Sequence, residues 1–233
     1  MKVHSFESAA AVDGDGVRFC VFTQGCPLRC VYCHNPDTWE GGGEDISPEQ
    51  IAKKLLRYKP YFKNGGGVTF SGGEPLLQSE EIIKINTLLK KENVNYAIDT
   101  SGCVKLTESV KRAVECAELI ICDLKFWDEN SYKKYTGGSY NSVLDFLNLC
   151  ESLKKRVWIR TVVVPNINDT TEIMDKYLET VKKFRCVEKY KLLAFHTMGF
   201  EKYEKLGINN PLASAKPMDK EELSELQKYV DKK

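Results

Sequence analysis

The chain has 233 residues, 42% of them apolar, enough for one sizeable hydrophobic core, and the expectation is one α/β domain spanning 1–233. Lys and Arg total 34 against 33 Asp and Glu, and a formal charge of +1 gives no electrostatic footprint for nucleic acid or an acidic membrane. No apolar run reaches the roughly 18 residues of a membrane span, and the start, "MKVHSFESAAAVDGDG", lacks the layout of a signal peptide.

In chain order, the first β-rich run is "VRFCVFT" (17–23), followed by a loop holding three cysteines. A helix is predicted over "SPEQIAKKLLRY", with Ser47 as N-cap and Pro48 in the first turn. Strands follow at "GVTFS" (67–71) and "NYAIDT" (95–100), then a helix at "TESVKRAVECA" capped by Thr107. Further strands are "ELIICDLKF" (118–126), "VWIRTVVVP" (157–165) and "YKLLAF" (190–195), and "DKEELSELQKYV" closes the pattern as an amphipathic helix. Successive apolar residues within the strands suit parallel strands covered on both faces, and the gaps admit crossover helices. Six such β/α units predict a partial (β/α)6 parallel barrel, smaller than the eight-stranded kind, with its chemistry at the C-terminal strand ends.

Nine cysteines, an odd number with one tight cluster, point to a reducing, cytoplasmic setting rather than a disulfide framework. Cys20, Cys103, Cys116, Cys122, Cys150 and Cys186 sit singly in apolar or helical surroundings and read as packing. Cys26, Cys30 and Cys33 differ: C-x3-C-x2-C on one loop lets three thiolates converge on one centre. Spacing leaves two readings open. One is a [4Fe–4S] cluster whose fourth iron has no protein ligand and is free to chelate a small molecule. The other is a zinc-binding interaction module without catalysis, which wants a fourth ligand; His34 is adjacent to Cys33, and neighbouring residues in an extended loop tend to point apart.

Tyr32 before the last cysteine and "SGGEP" after the second strand resemble the radical S-adenosylmethionine superfamily. The segments "HSFES" (4–8), "VDGDGVRF" (12–19), "CVYCHNPDTW" (30–39), "GGGVTFSGGEP" (65–75), "DLK" (123–125) and "VWIRTVVVP" resemble, more narrowly, its activases of glycyl-radical enzymes. The likeness covers nearly the whole chain. It implies a barrel of the radical S-adenosylmethionine type, a [4Fe–4S] cluster on Cys26, Cys30 and Cys33, and reductive cleavage of S-adenosylmethionine to a 5′-deoxyadenosyl radical that takes a hydrogen from a partner's glycine. The partner implied is a glycyl-radical enzyme, pyruvate formate-lyase first and anaerobic ribonucleotide reductase as the alternative, with flavodoxin or ferredoxin as electron donor. The cofactor carries the hard chemistry and the protein positions it.

On that resemblance Gly72, Gly73 and Glu74 hold the methionine part of the cofactor, with Glu74 accepting from its ammonium group. Tyr32, Cys33 and His34 form the adenine side, His196 contacts adenine or ribose, and Asp123, Leu124, Lys125 and Arg160 complete the cofactor site. For Arg160 and Lys125, charges in otherwise apolar strands, an internal pair with Asp99 or Asp123 is equally open. Asp99, Thr100 and Asp123 are the implied ligands of a monovalent cation, or simply strand-end caps. Asp13, just before the first strand, is placed either to accept N–H bonds from the partner's glycine-bearing loop or to make an Asx-turn. The chain departs from the activase pattern at Asp15 and Ala194, where proline is expected, and "DTWEGGGED" leaves no room for an inserted cluster domain.

Overall fold

The computed structural model describes residues 1–10 and 12–233. All six anticipated strands form, as β2 (Arg18–Thr23), β4 (Gly67–Gly72), β5 (Tyr96–Thr100), β6 (Leu119–Asp123), β7 (Arg156–Val163) and β8 (Val187–Ala194), each parallel to the next. The sheet has two further strands that the sequence pattern did not announce, β1 (Lys2–Ala10) and the two-residue β3 (Glu44–Asp45), both antiparallel additions. β1 is largely half-buried or exposed, so its sequence lacks the apolar signature of the inner strands. The spatial order is β3-β1-β2-β4-β5-β6-β7-β8, and the barrel is open. The β8 edge is blocked by a side chain: Gln227 accepts from the Leu192 N–H at 2.8 Å and donates to the Tyr190 carbonyl at 3.2 Å.

The helices are α1 (Pro48–Leu56), α2 (Ser79–Lys91), α3 (Glu108–Cys116), α4 (Glu129–Thr136), α5 (Tyr140–Ser152), α6 (Thr171–Val181), α7 (Phe200–Leu206) and α8 (Lys220–Asp231). Ser47 closes a reciprocal capping box with Gln50 at the start of α1, and Thr107 caps α3. Alternate strand residues divide the core. In β6, Ile120 and Cys122 join the large core, whereas Leu119 and Ile121 pack with Ala97 and half-buried Trp158 in a small second cluster. Among the described residues no helix is long and apolar enough to cross a membrane.

The N-terminal strand ends are closed by Arg18, only 1% exposed. Its guanidinium donates to Thr69 Oγ1 at 3.1 Å, Asn95 Oδ1 at 2.9 Å, and the carbonyls of Gly65 and Val68. Asp15, where the activase pattern expects proline, instead pairs with Arg156 at 2.9 Å, at the first residue of β7. The opposite ends remain open.

Candidate active site

After β2 the chain turns over the C-terminal strand ends. Gly25, at φ 100°, and Cys26 donate backbone N–H bonds to Thr38 and Trp39, folding the loop onto itself at 2.8 and 3.2 Å. The Arg29 and Val31 N–H groups donate to the carbonyls of Thr136 and Tyr135 at 2.8 and 2.9 Å, and the Tyr203 hydroxyl donates to the Cys33 carbonyl at 3.0 Å. Thus α4 and α7 hold the loop from two sides. The three thiols line one cavity of about 560 Å³, and burial pushes Cys26 up to about 11 and Cys30 up to about 12, with Cys33 raised for the same reason.

Among the described residues no three Cys, His, Asp or Glu side chains close on a point fit for one metal ion. Three soft donors facing one cavity, in a place where a lone thiolate is costly, suit a larger cationic iron–sulfur group. Lys125, on the same cavity, adds positive charge beside Cys30.

A polar network occupies the ends of β4 to β7. Arg160 donates to Asp99 Oδ1 at 2.5 Å and to Asp123 Oδ1 at 3.1 Å, Lys125 donates to Asp123 Oδ2 at 3.1 Å, and Ser71 donates to Asp99 Oδ2 at 2.7 Å. Asp13 Oδ1 lies 3.6 Å from Arg160. Burial pushes Asp123 up, but Arg160 and Lys125 outweigh it and hold the carboxyl below its usual value; burial pulls Lys125 down, and Asp123 with its other neighbours more than offsets that. Arg160 and Lys125 therefore have the internal carboxylate partners that the sequence left open, while remaining on the cavity wall. Asp99, Thr100 and Asp123 are not gathered around one point: the two carboxylates share Arg160, and the Thr100 hydroxyl donates to Glu74 at 2.7 Å.

The glycine turn has a reason internal to the protein. A Cβ on Gly72, at φ 106°, would lie 2.3 Å from the Thr23 nitrogen, and one on Gly73 would lie 2.2 Å from the Gly25 carbonyl oxygen. Gly72 lets the end of β2, and Gly73 the start of the cysteine loop, lie close against this turn, and both also face the cavity. Glu74 is fully buried and is not on the cavity wall. One carboxylate oxygen accepts from Thr100 Oγ1 and from the Leu76 N–H at 3.2 Å; the other accepts from Ser101 N–H and Oγ at 2.9 and 2.6 Å. Its four acceptor positions are thus filled by the protein.

Of the other expected residues, Asp13, Tyr32 and His34 line the cavity, whereas His196 and the buried side chain of Leu124 do not. His34 is brought onto the cavity although it adjoins Cys33, because its ring stacks on His196 at 3.6 Å between centroids and its Nε2 pairs with the His196 carbonyl at 3.0 Å. Tyr32 Oη and His196 Nδ1 are buried without a hydrogen-bond partner among the described residues. An orphaned buried hydroxyl at a cavity wall is what a site leaves for a bound group to satisfy. Sequence reasoning missed Ser71, Ser101, Trp39, Trp158, Lys189 and Lys191, all on the cavity. Ser71 opens the "SGGEP" segment and Ser101 follows the "NYAIDT" strand, both already singled out; Lys189 and Lys191 could have been found from the two-residue period of β8.

An open parallel sheet with three thiols on the loop after its first parallel strand, facing a polar network on the next strand ends, defines a radical S-adenosylmethionine protein. The profile of the Radical SAM superfamily matches residues 20–178. The pyruvate formate-lyase-activating enzyme of Clostridium pasteurianum is 46% identical over 231 residues, 98% of this chain and 96% of that protein. The enzyme of the same name from Staphylococcus epidermidis is 40% identical over 98% of this chain and 94% of its own length. The chain belongs to the radical SAM superfamily and, within it, to the family of pyruvate formate-lyase-activating enzymes. Among solved structures, Streptococcus suis SuiB bound to its precursor peptide SuiA matches with a TM-score of 0.67 at 15% identity, over 88% of this chain and 43% of that one. A domain of a pyruvate-formate lyase-activating enzyme from Bacteroides vulgatus matches with a TM-score of 0.58 at 21% identity, over 72% of this chain and 94% of that one. At those identities both show the shared fold.

Proposed function

We propose that this chain activates a glycyl-radical enzyme, pyruvate formate-lyase, in the cytoplasm. The observation that carries the reading is the convergence of Cys26, Cys30 and Cys33 with the Asp99–Arg160–Asp123–Lys125 network on one cavity, in a chain that aligns from end to end with enzymes of that name. When bound, the [4Fe–4S] cluster and S-adenosylmethionine supply reductive sulfonium cleavage and the hydrogen abstraction from glycine that follows.

The chain's own residues bind, orient and shield. The three cysteines hold the cluster. Three carboxylates, Asp13, Asp99 and Asp123, and two cations, Arg160 and Lys125, surround a space in which an amino acid's ammonium and carboxylate groups each find opposite charge. The buried Tyr32 hydroxyl and the His34 ring offer an aromatic wall with one unsatisfied polar handle. Glu74 acts from behind, fixing Thr100 and Ser101, and His196 acts through His34. Asp13 and Val12, the latter 78% exposed, form a lip of the cavity. The Asp13 carbonyl accepts from Thr69 Oγ1 at 2.7 Å, which fixes the lip, and its carboxylate, 3.6 Å from Arg160 on one side, is the group that would meet the partner's glycine loop.

Anaerobic incubation of the reduced, iron-loaded protein with S-adenosylmethionine and pyruvate formate-lyase tests this reading by electron paramagnetic resonance. The expected result is a glycyl radical on the partner with 5′-deoxyadenosine formed in step. Cofactor cleavage without a glycyl radical on that partner would assign the chemistry to a different substrate. A colourless anaerobic preparation containing zinc and no sulfide would end the radical reading.

A further inference from the structure

We propose that the last turn of α4, with the cysteine-loop segment bonded to it, is the docking face for a small acidic protein that carries single electrons. The inference deepens the function proposed above and rests on it, because reductive cleavage consumes one electron that the chain must receive from outside.

Three independent features meet at this place. The first is proximity: the Arg29 and Val31 N–H groups, on either side of Cys30, donate directly to the Thr136 and Tyr135 carbonyls. No secondary-structure layer separates the last turn of α4 from the cluster thiols. The second is a packed aromatic path. Half-buried Tyr135 stacks on Phe126 at 4.7 Å and an interplanar angle of 20°, and Phe126 lies 6.0 Å from Tyr32, which shares the cavity with Cys30 and Cys33. Such close packing leaves no solvent gap between the α4 surface and the cavity.

The third is charge. Lys133 and Lys134 are exposed, and among the described residues neither forms an ion pair; Lys134 Nζ lies 4.6 Å over the Tyr135 ring. The carboxylates of this helix are at its other end and are engaged. Asp128 accepts from the Ser131 N–H at 2.7 Å, and Glu129 accepts from Ser139 Oγ and the Asn141 N–H at 3.2 and 3.1 Å. Arg29, on the same face, pairs with Glu40. Lysines in a last helical turn are favoured by the helix dipole wherever they occur, and α1 and α2 have them too. The end of α2, however, precedes β5 and so belongs to the N-terminal side of the sheet, whereas α4 ends against the cysteine loop. In a chain of net charge +1, an unpaired basic pair there is a local feature. Complementary charge of this kind steers an acidic partner and sets its on-rate.

The test uses anaerobic holoenzyme and purified flavodoxin as the probe. Flavodoxin affinity at low salt is expected to fall about tenfold or more in the Lys133→Glu/Lys134→Glu variant, and cluster reduction by flavodoxin hydroquinone to slow in parallel, with both losses shrinking at high salt. Lys133→Gln/Lys134→Gln should show a smaller loss. Reduction by dithionite, and cofactor cleavage driven by it, should match the unaltered protein, which also reports an intact fold. A Lys90→Glu/Lys91→Glu variant, changed equally in charge at the end of α2, should retain flavodoxin affinity. Undiminished affinity in the α4 variant, equal losses in both variants, or no flavodoxin binding by the unaltered protein would overturn the docking face. Failure of the unaltered protein to cleave S-adenosylmethionine even with dithionite would instead overturn the underlying function.

Discussion

Arginines stand at both ends of the same sheet and are treated differently. Arg18, at the N-terminal strand ends, donates only to neutral acceptors, two side-chain oxygens and two carbonyls, and burial without a carboxylate partner pulls its pKa down to about 10. Arg160, near the C-terminal ends, is wedged between Asp99 and Asp123 with Asp13 beside it, and its guanidinium still borders a cavity. One end spends its polar groups on itself; the other keeps charge facing open space and leaves Tyr32 Oη unsatisfied. Closure marks the structural end and incomplete satisfaction marks the chemical one.

The largest expected effect is at the open end. Alanine at Cys26, Cys30 or Cys33 should abolish iron and sulfide retention and cofactor cleavage, since two thiolates cannot secure a cluster that already has one open iron. Cys116→Ala and Cys150→Ala should leave both nearly unchanged. Iron and sulfide per chain, with 5′-deoxyadenosine yield, are the measurements; a Cys30→Ala protein that cleaves normally would show the ligands to be misassigned.

The two arginines can be set against each other directly. Arg18→Met strands Asn95, Thr69 and two carbonyls in a buried place, and should cost roughly 3 kcal/mol in denaturant unfolding. Arg160→Lys keeps a cation near Asp99 and Asp123 but loses the two-pronged geometry. It should change stability by less than about 1 kcal/mol while weakening S-adenosylmethionine binding about tenfold. Reversed outcomes, with Arg18 governing cofactor affinity and Arg160 only stability, would break the distinction between the ends.

Much of this distinction was legible beforehand. β2, β4, β5 and β6 announce themselves because strands covered on both faces need successive apolar residues, as in Leu119 to Cys122, whereas β7 alternates buried with half-buried residues and β8 is largely half-buried or exposed. The cysteine loop is legible because spacing alone constrains three thiols on a short segment. β1, which β3 covers only at Lys2 and Val3, and β3 itself are silent in the sequence because a strand at the margin of the sheet with a wet face needs no such run. The direction in which a side chain points is also silent. Glu74 follows a glycine turn that borders the cavity, yet the turn sends its carboxylate inward to Thr100 and Ser101. His34 reaches the cavity only because His196, far along the chain, supplies a ring to stack on.

Glu74 gives a sharper, smaller test. Replacing it with Gln puts an amide N–H2 group opposite one pair of donors, either Thr100 Oγ1 with the Leu76 N–H or the Ser101 N–H with Ser101 Oγ. The expected cost is about 2 kcal/mol of stability, with cofactor affinity following only through loosening of the glycine turn. A tenfold loss of S-adenosylmethionine affinity at unchanged stability would show that Glu74 touches the cofactor after all. At the lip, Asp13→Asn should slow glycyl-radical formation on the partner severalfold while uncoupled cofactor cleavage continues near its normal rate. Equal loss in both would reassign Asp13 to the pocket.

The smallest effect concerns acid stability and comes from His34. Burial, and then the neighbouring His196 ring, pull the His34 pKa down to about 4, so the folded protein keeps this ring neutral where an unfolded chain would protonate it. Between the ordinary histidine value of roughly 6.5 and the folded value, the unfolded state binds more protons, so stability rises with pH across that window and falls as the solution is acidified. Above it His34 contributes no pH dependence. His34→Phe keeps an aromatic ring against His196 and removes the titration, so the decline of the unfolding midpoint between near-neutral pH and pH 4 should be shallower than in the unaltered protein. The slope, rather than the midpoint itself, is the quantity to compare, because loss of the bond to the His196 carbonyl shifts the midpoint at every pH. An unchanged slope would mean that the His34 ring is protonated in the folded state as readily as in the unfolded one, and the cavity wall at that position would then be wet.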